Sequence, residues 1–350
     1  MCLKSKRIGG QLDRSIYFND QLKEEVSKRL KEIIPGRLDH LDPEVSQTIM
    51  EFSDGGKKVR PLSLMLTAAA LGVDPTDDLV LDAAVALELS HRSTLIIDDS
   101  IDGSQTRNEL PTLAVSLGPE VASLSASAMQ SIAIEVSPPK FASLLSHGVT
   151  QTQKGQMMEV SFRWQSIGQI EYKHDKVVEF KSASLEDAAF RIATEVGLGY
   201  EIDRLESVAN YLAFAYQAGN DLSDLEPWLF EESRHPPDDL KNRTLTFPMR
   251  YAVEASLNDG NEYLLSYLRS GEPHDMSRLR RELKEFIPTD LIRSQMNQWI
   301  QKSVLLLETL LPRNEYSRAL QDLISTNWAY SYGAKLKNSS ATAKYPDDSK

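Results

Sequence analysis

Cysteine is nearly absent from this 350-residue chain, Cys2 being the only one. No intramolecular disulfide can form, and a thiol beside the initiator methionine is poorly placed for catalysis, so a reducing, cytoplasmic setting is expected. Long apolar runs are also missing. No stretch approaches the ~18 apolar residues needed to cross a bilayer, and the opening "MCLKSKRIGGQLDRS" lacks the apolar core of a signal peptide. Contact with a membrane surface is not excluded. Positive charge is in deficit, with 39 Lys and Arg against 51 Asp and Glu and a net charge of -12. That balance argues against a nucleic-acid binder, which presents clustered basic residues to phosphate, but leaves room for a local basic pocket taking a small phosphorylated ligand. Strand alternation and hairpin dipeptides are scarce, and no internal repeat of solenoid length occurs.

What the chain has instead is helical periodicity, as in "DDLVLDAAVALELSHRSTLIIDD" and "RLESVANYLAFAYQAGNDLSDL". An all-α protein is predicted, its helices divided by turn signals such as "SDGGKK", "LGVDPTDD" and "VSPPKF". Thr76 or Asp77 is placed to cap the helix entering "TLIIDDSID". One helical domain is expected over 14–336, with residues 1–13 and 337–350 polar, aperiodic and disordered.

The segment "TLIIDDSID" sets Asp98, Asp99 and Asp102 directly behind an apolar run, where unpaired carboxylates cost several kcal/mol unless positive charge meets them. Asp98 and Asp102 are four apart, so on a helix they share a face, with Cβ atoms about 5–6 Å apart, and can bracket Mg²⁺. Taken alone, such a pair is more often a solvated helix end. A second set, Asn220 and Asp224 with Asp221 between, repeats the spacing behind another apolar helical face, and two such helices would make one metal cradle. Basic residues stand at "GGKKVRP", where Lys57 and Arg60 open a helix whose N–H groups also favour anions, and at Arg107, suited to bidentate phosphate contact. His91 lies on the same helix as the first acids; a lone histidine there is usually a satisfied core residue. Together these groups fit a diphosphate, bridged by Mg²⁺ on one side and held by Lys and Arg on the other, with the apolar helices housing an isoprenoid tail.

At these positions the chain resembles the trans-isoprenyl diphosphate synthase (polyprenyl synthetase) family. The similarity runs from about Gly55 to Pro248. It implies a helical bundle around a central apolar cavity, Mg²⁺, and condensation of an allylic diphosphate with isopentenyl diphosphate, commonly in a homodimer. "GGKKVRP" resembles the family's Gly-Gly-Lys-x-x-Arg-Pro, which assigns Lys57, Arg60 and His91 to isopentenyl diphosphate. "IIDDSID" resembles the first aspartate-rich motif, which assigns Asp98 and Asp102 to metal and Arg107 to the allylic diphosphate. "GQMMEV" and "FKSAS" resemble the Gly-Gln helix and the Lys-Thr/Ser element, making Lys181, with Ser182, a ligand of the leaving diphosphate. "YQAGNDLSD" resembles the second aspartate-rich helix, with Gln217 and Asp221 in matching places and Asn220 and Asp224 as metal ligands.

Departures occur at Asn108, where the family has a second arginine; at Asn220, where it has aspartate; and at Thr244, where it has a lysine near the closing segment, a loss for which Lys241 or Arg243 is placed to compensate. Ser93 and Thr94, one turn before Asp98, are small where shorter-product members carry aromatics, which favours a geranylgeranyl over a farnesyl product; Ser93 otherwise only lets two helices pack closely. Rival readings are a class I terpene cyclase or transfer to another acceptor, favoured by Asn108, and a non-catalytic synthase subunit, favoured by the departures together. The cyclase motif wants Ser or Thr at Asp224 and Glu at Trp228, a poor match.

Overall fold

The computed structural model describes residues 12–107, 110–161, 170–200, 202–230, 235–270 and 275–328. The first helices are α1 (Leu12–Ile33), α2 (Pro43–Asp54), α3 (Val59–Ala70), α4 (Asp78–Asp102), α5 (Leu113–Leu117), α6 (Pro119–Val136), α7 (Pro139–Ser161) and α8 (Ile170–Val178). A π-helical turn, Glu179–Ala183, then leads into α9 (Ser184–Leu198) and α10 (Leu205–Leu229). The C-terminal part contains α11 (Asp238–Asn242), α12 (Phe247–Asn258), α13 (Tyr263–Ser270), α14 (Met276–Phe286), α15 (Thr289–Leu310) and α16 (Glu315–Leu323). The all-α expectation holds with one small exception, a two-stranded antiparallel ribbon pairing Thr106–Arg107 with Leu110–Pro111. Asn108, one of the departures noted above, lies outside the described residues, as does the tail 337–350. Leu12 and Asp13 belong to α1, where the sequence had placed the end of a disordered arm.

Local chemistry sets the boundaries that matter for the site. Asp77 caps α4, its carboxylate accepting from the Leu79 N–H at 2.9 Å, and Gly103 ends the helix with φ 68°. A left-handed residue there lets the chain turn straight out of the last helical turn, the one carrying the acids. At the other junction, Gly56 has φ 75°, and the Arg92 guanidinium lies against it, hydrogen-bonded to the Gly55 carbonyl. A side chain at Gly56 would occupy the place of that guanidinium, so the glycine pair serves packing as well as turning.

Helix α3 is buried from Arg60 to Ala70, as expected of a helix apolar on every side. It packs along α9, while α4 packs along α6 and α10 along α15. The buried apolar side chains form one continuous cluster running from Leu22 to Ile324. Helices α4, α7, α9 and α10 surround the space in which both sets of acids meet. No helix among the described residues is long and apolar enough to cross a membrane.

Candidate active site

A cavity of about 550 Å³ opens between α4, α7, α10 and the segment around α11. The last turn of α4 brings Asp98, Asp99 and Asp102 to its wall. This is the negative end of the helix dipole, where carboxylates are least comfortable, so the turn depends on cations from elsewhere. Lys181 supplies one, with Nζ 2.9 Å from Asp98 and 2.6 Å from Glu159 of α7. Burial opposes the charge on Lys181, but the Asp98 and Glu159 carboxylates outweigh it and hold the ammonium firmly protonated. Arg107 supplies the other. Its Nε and Nη2 donate to the Asp99 carboxylate at 2.7–3.0 Å, and Nη2 lies 3.5 Å from Asp98. The ribbon at Thr106–Pro111 carries Arg107 back over the end of α4 to reach it.

Lys181 sits in the π-helical turn because α7 lets it approach. Gly155 lies directly against the Lys181 backbone, where a Cβ would come within 2.7 Å of its Cα. The extra residue of a π-helical turn shifts a side chain out of the α-helical register, here towards the acids.

On the deeper side Arg60 Nη1 donates to His91 Nε2 at 3.0 Å, and Nη2 reaches the Ser182 carbonyl at 3.5 Å. Burial, reinforced by the charges of Arg60, Arg92 and Arg107, pushes the His91 imidazole well below its usual value. It is therefore neutral, and Nε2 is free to accept from a guanidinium that can only donate. Ser182 Oγ donates to Gln217 Oε1 at 3.0 Å, Gln217 Nε2 donates to Asp221 at 2.8 Å, and Asp221 also accepts from the Phe247 N–H at 2.8 Å. Asp221 thus joins α10 to α12 and leaves Asn220 and Asp224 to face the cavity. The same cavity is also lined by the apolar side chains of Leu95, Ile97, Val177, Val178, Leu185 and Leu245.

Most residues singled out in the sequence meet here: Asp98, Asp102, Arg107, Lys181, Ser182, Gln217, Asn220, Asp224, Arg60, His91 and Thr94 all line the cavity. Others do not. Lys57 is exposed and is not among the lining residues; its neighbour Lys58 is the buried one, with φ 51° and its ammonium on Asp54. Ser93 is fully buried, its single hydroxyl lying 2.8 Å from both the Ser90 carbonyl and Gln130 Oε1 of α6, and takes no part in the lining. Lys241 is paired with Asp238 at 2.7 Å, and Arg243 turns to the Leu268 carbonyl, so neither stands in for the lysine missing at Thr244. Arg107 is already engaged by Asp99, whereas the sequence had reserved it for phosphate.

Three lining acids escaped the sequence reading, Glu159, Asp239 and its neighbour Asp238. Glu159 is four residues past Gly155, the helical spacing that puts it on the same face. Asp239 follows the turn "RHPPD" and is brought in by α11, for which no periodic signal exists. Burial and then the neighbouring charge of Asp98 raise Asp102 to about 7. Burial and then Glu159 raise Asp239 to about 7 as well. Asp224 is raised too, mainly by burial. This mouth therefore carries more carboxylate than its bases neutralise.

The oxygen-only donor set suits a hard divalent cation. Among the described residues no group of three acids or imidazoles converges tightly enough to hold an ion unaided. A cation here would be held by one or two carboxylates and completed by water and substrate phosphate, which is the habit of Mg²⁺.

A family model described as polyprenyl synthetase matches residues 42–286. The chain belongs to the polyprenyl synthetase family. It is accordingly a prenyltransferase of isoprenoid biosynthesis. Among the relatives of this synthetase, the nonaprenyl diphosphate synthase of Mycobacterium tuberculosis is 27% identical over 234 residues, covering 65% of this chain and 69% of that one. The geranylgeranyl diphosphate synthase of Methanosarcina mazei is 32% identical over 184 residues, covering 49% of this chain and 55% of that one. The crystal structure of a polyprenyl synthase from Caulobacter crescentus, complexed with calcium and isoprenyl diphosphate, shares the fold with a TM-score of 0.75 at 20% identity, over 93% of this chain and 99% of that one.

Proposed function

We propose that this synthetase elongates an allylic diphosphate by head-to-tail condensation with isopentenyl diphosphate, giving a product of geranylgeranyl length. The observation that carries the reading is one cavity that gathers the carboxylates of α4 and α10, the basic group of Arg60 with His91, and an apolar lining. Asp98, Asp102, Asn220 and Asp224 would hold Mg²⁺, which when bound supplies positive charge to the leaving diphosphate. Lys181 and Arg107, aimed at the same end, add fixed charge where the leaving group develops its own. Lys181 is preorganised for this by Asp98 and Glu159. Arg60 anchors isopentenyl diphosphate with His91 behind it, and Lys57 reaches the same ligand only if its exposed side chain folds inward. Ser182 and Gln217 orient one another beside the reacting carbons, and the apolar wall keeps water from the allylic cation. Among the described residues no side chain is assigned as a dedicated base, so the proton lost from the isopentenyl unit goes to the departing diphosphate.

Small Thr94 on the cavity wall leaves room beyond a farnesyl chain, which supports the longer product. A homodimer belongs to this reading by likeness to the family, and the single cysteine supports a cytoplasmic setting. The pairing of Lys241 with Asp238 and of Arg243 with the Leu268 carbonyl favours the subunit reading as the alternative, since both cations of the closing segment are engaged by the protein. Incubation with Mg²⁺, isopentenyl diphosphate and each of dimethylallyl, geranyl and farnesyl diphosphate, with products identified by mass, tests these readings. A lengthened prenyl diphosphate supports elongation; an allylic substrate consumed without lengthening supports a cyclase, and one left untouched a subunit.

A further inference from the structure

His91 and Arg92 are neighbours on α4, and both reach the segment that opens α3. His91 Nε2 meets Arg60 Nη1 at 3.0 Å on the cavity wall. Arg92 is buried and does not line the cavity; its guanidinium lies instead against the turn between α2 and α3. Its Nε donates at 2.8 Å to Glu88, which is buried one helical turn earlier, and its Nη2 donates to the Gly55 carbonyl. The guanidinium carbon stands 5.7 Å from the centre of the Phe52 ring. The same Gly55 carbonyl accepts from Lys58 Nζ at 3.3 Å, and Lys58 is itself paired with Asp54 at 3.2 Å. Two buried cations therefore converge on one carbonyl, in a turn whose two glycines would otherwise be the freest backbone before α3. For stability alone a buried ion pair is a weak device, since apolar residues of similar volume often serve as well. What an arginine adds is direction: a planar fork of donors that holds a carboxylate on one edge and a carbonyl on another.

We propose that Arg92 is a positioning residue for isopentenyl diphosphate: oriented by Glu88, it ties the Gly55–Gly56 turn to α4 and so sets the first turn of α3, from which Arg60 faces the cavity. Arg92 touches no substrate. Helix α4 fixes Arg60 twice, directly through His91 and, one residue on, through the backbone that leads into α3. Gly56 supplies the room, because a Cβ there would overlap Arg92 Nη2; the glycine pair and the arginine are two halves of one contact. The inference rests on the assignment of Arg60 to the isopentenyl site made above.

The test is calorimetric titration of the full chain with Mg²⁺, first by farnesyl thiodiphosphate as an inert allylic probe, then by isopentenyl diphosphate once that probe has saturated its site. Removing Arg92 alone would strand a buried carboxylate, so the pair is replaced together. Glu88→Leu with Arg92→Met should weaken isopentenyl diphosphate about tenfold, the scale of one misplaced charge-assisted contact, and change the allylic probe by less than about twofold. Arg92→Lys keeps the charge but cannot reach Glu88 and Gly55 at once. It should weaken isopentenyl binding by about threefold or more, and it carries the test if the double variant does not fold. Glu88→Gln, which still accepts from Arg92 Nε, should bind both ligands within about twofold of the parent. A merely structural pair would weaken both ligands equally. That result, or unchanged isopentenyl binding in the double variant and in Arg92→Lys, would overturn the proposal. Arg60→Met separates the two levels. If it leaves isopentenyl binding unchanged, the assignment of Arg60 fails and this inference with it; if it weakens binding and the Arg92 variants do not, only the role of Arg92 fails.

Discussion

Replacing Gly155 by alanine should damage this enzyme through a residue that no substrate touches. The Cβ of an alanine would lie 2.7 Å from Lys181 Cα and 2.9 Å from its Cβ, and closer still to its backbone nitrogen. None of these neighbours is the yielding tip of a side chain, so α7 and the π-helical turn must part by about 1 Å to restore ordinary contact. Overpacking of this kind costs about 1–3 kcal/mol, and for a chain of this length a midpoint lowered by roughly 1–4 °C is expected in a thermal melt. The functional loss should be larger. Lys181 bridges Asp98 and Glu159 at 2.9 and 2.6 Å, and a displacement of about 1 Å breaks contacts of that length and can cost about 10²-fold in rate. Steady-state prenyl transfer and the melt should be compared with Gly36→Ala, where nothing lies within 4 Å of the new Cβ. If Gly155→Ala matches that control in both assays, close approach of α7 does not place Lys181, and the account of the π-helical turn is wrong.

Lys181→Gln should lower kcat by about 10²–10³-fold, the scale of one fixed group lost from a charge-developing site; a loss below about tenfold in steady-state kinetics would show that Lys181 only pairs the acids. In the metal-free protein Asp239 is raised from 3.8 to about 7, so between those values the folded state binds the extra proton and stability falls as pH rises. Asp239→Asn should therefore be more stable than the parent at pH about 8 and converge with it only near pH about 4, by thermal melts; comparing the two proteins cancels His91 and His174, whose lowered values make stability fall in the opposite direction, as pH decreases. A gap that does not change with pH would refute this. Thr94→Phe should shorten the product spectrum, read by mass, because Thr94 lines the cavity, while Ser93→Phe should fail through overpacking between α4 and α6, lowering the melt by several degrees; an unchanged spectrum with Thr94→Phe would remove the length argument.

The helices were readable because their periodicity is local. The run of α4 into Asp98 and Asp102, its cap at Asp77 and the matching spacing at Asn220 and Asp224 all lie within a few turns of one chain segment. Local spacing is enough to say which side chains share a face, and residue type is enough to say that carboxylates in such pairs want a hard cation and a phosphate. Order and spacing of the motifs also carried the family. Distances between segments are a different matter. Arg107 and Lys181 both read as cations for phosphate, yet folding gives Arg107 to Asp99 and sets Lys181 between Asp98 and Glu159. Two adjacent lysines read alike, and the left-handed backbone at Lys58 buries that one while leaving Lys57 outside. Ser93 and Thr94 are neighbours of similar size, and helix phase alone sends one to α6 and the other to the cavity. Composition and pattern thus determined an all-helical prenyltransferase with paired acids and basic anchors. The tertiary structure decided which acid meets which base, because charges compete at ångström distances and those distances are set by packing between segments far apart in sequence.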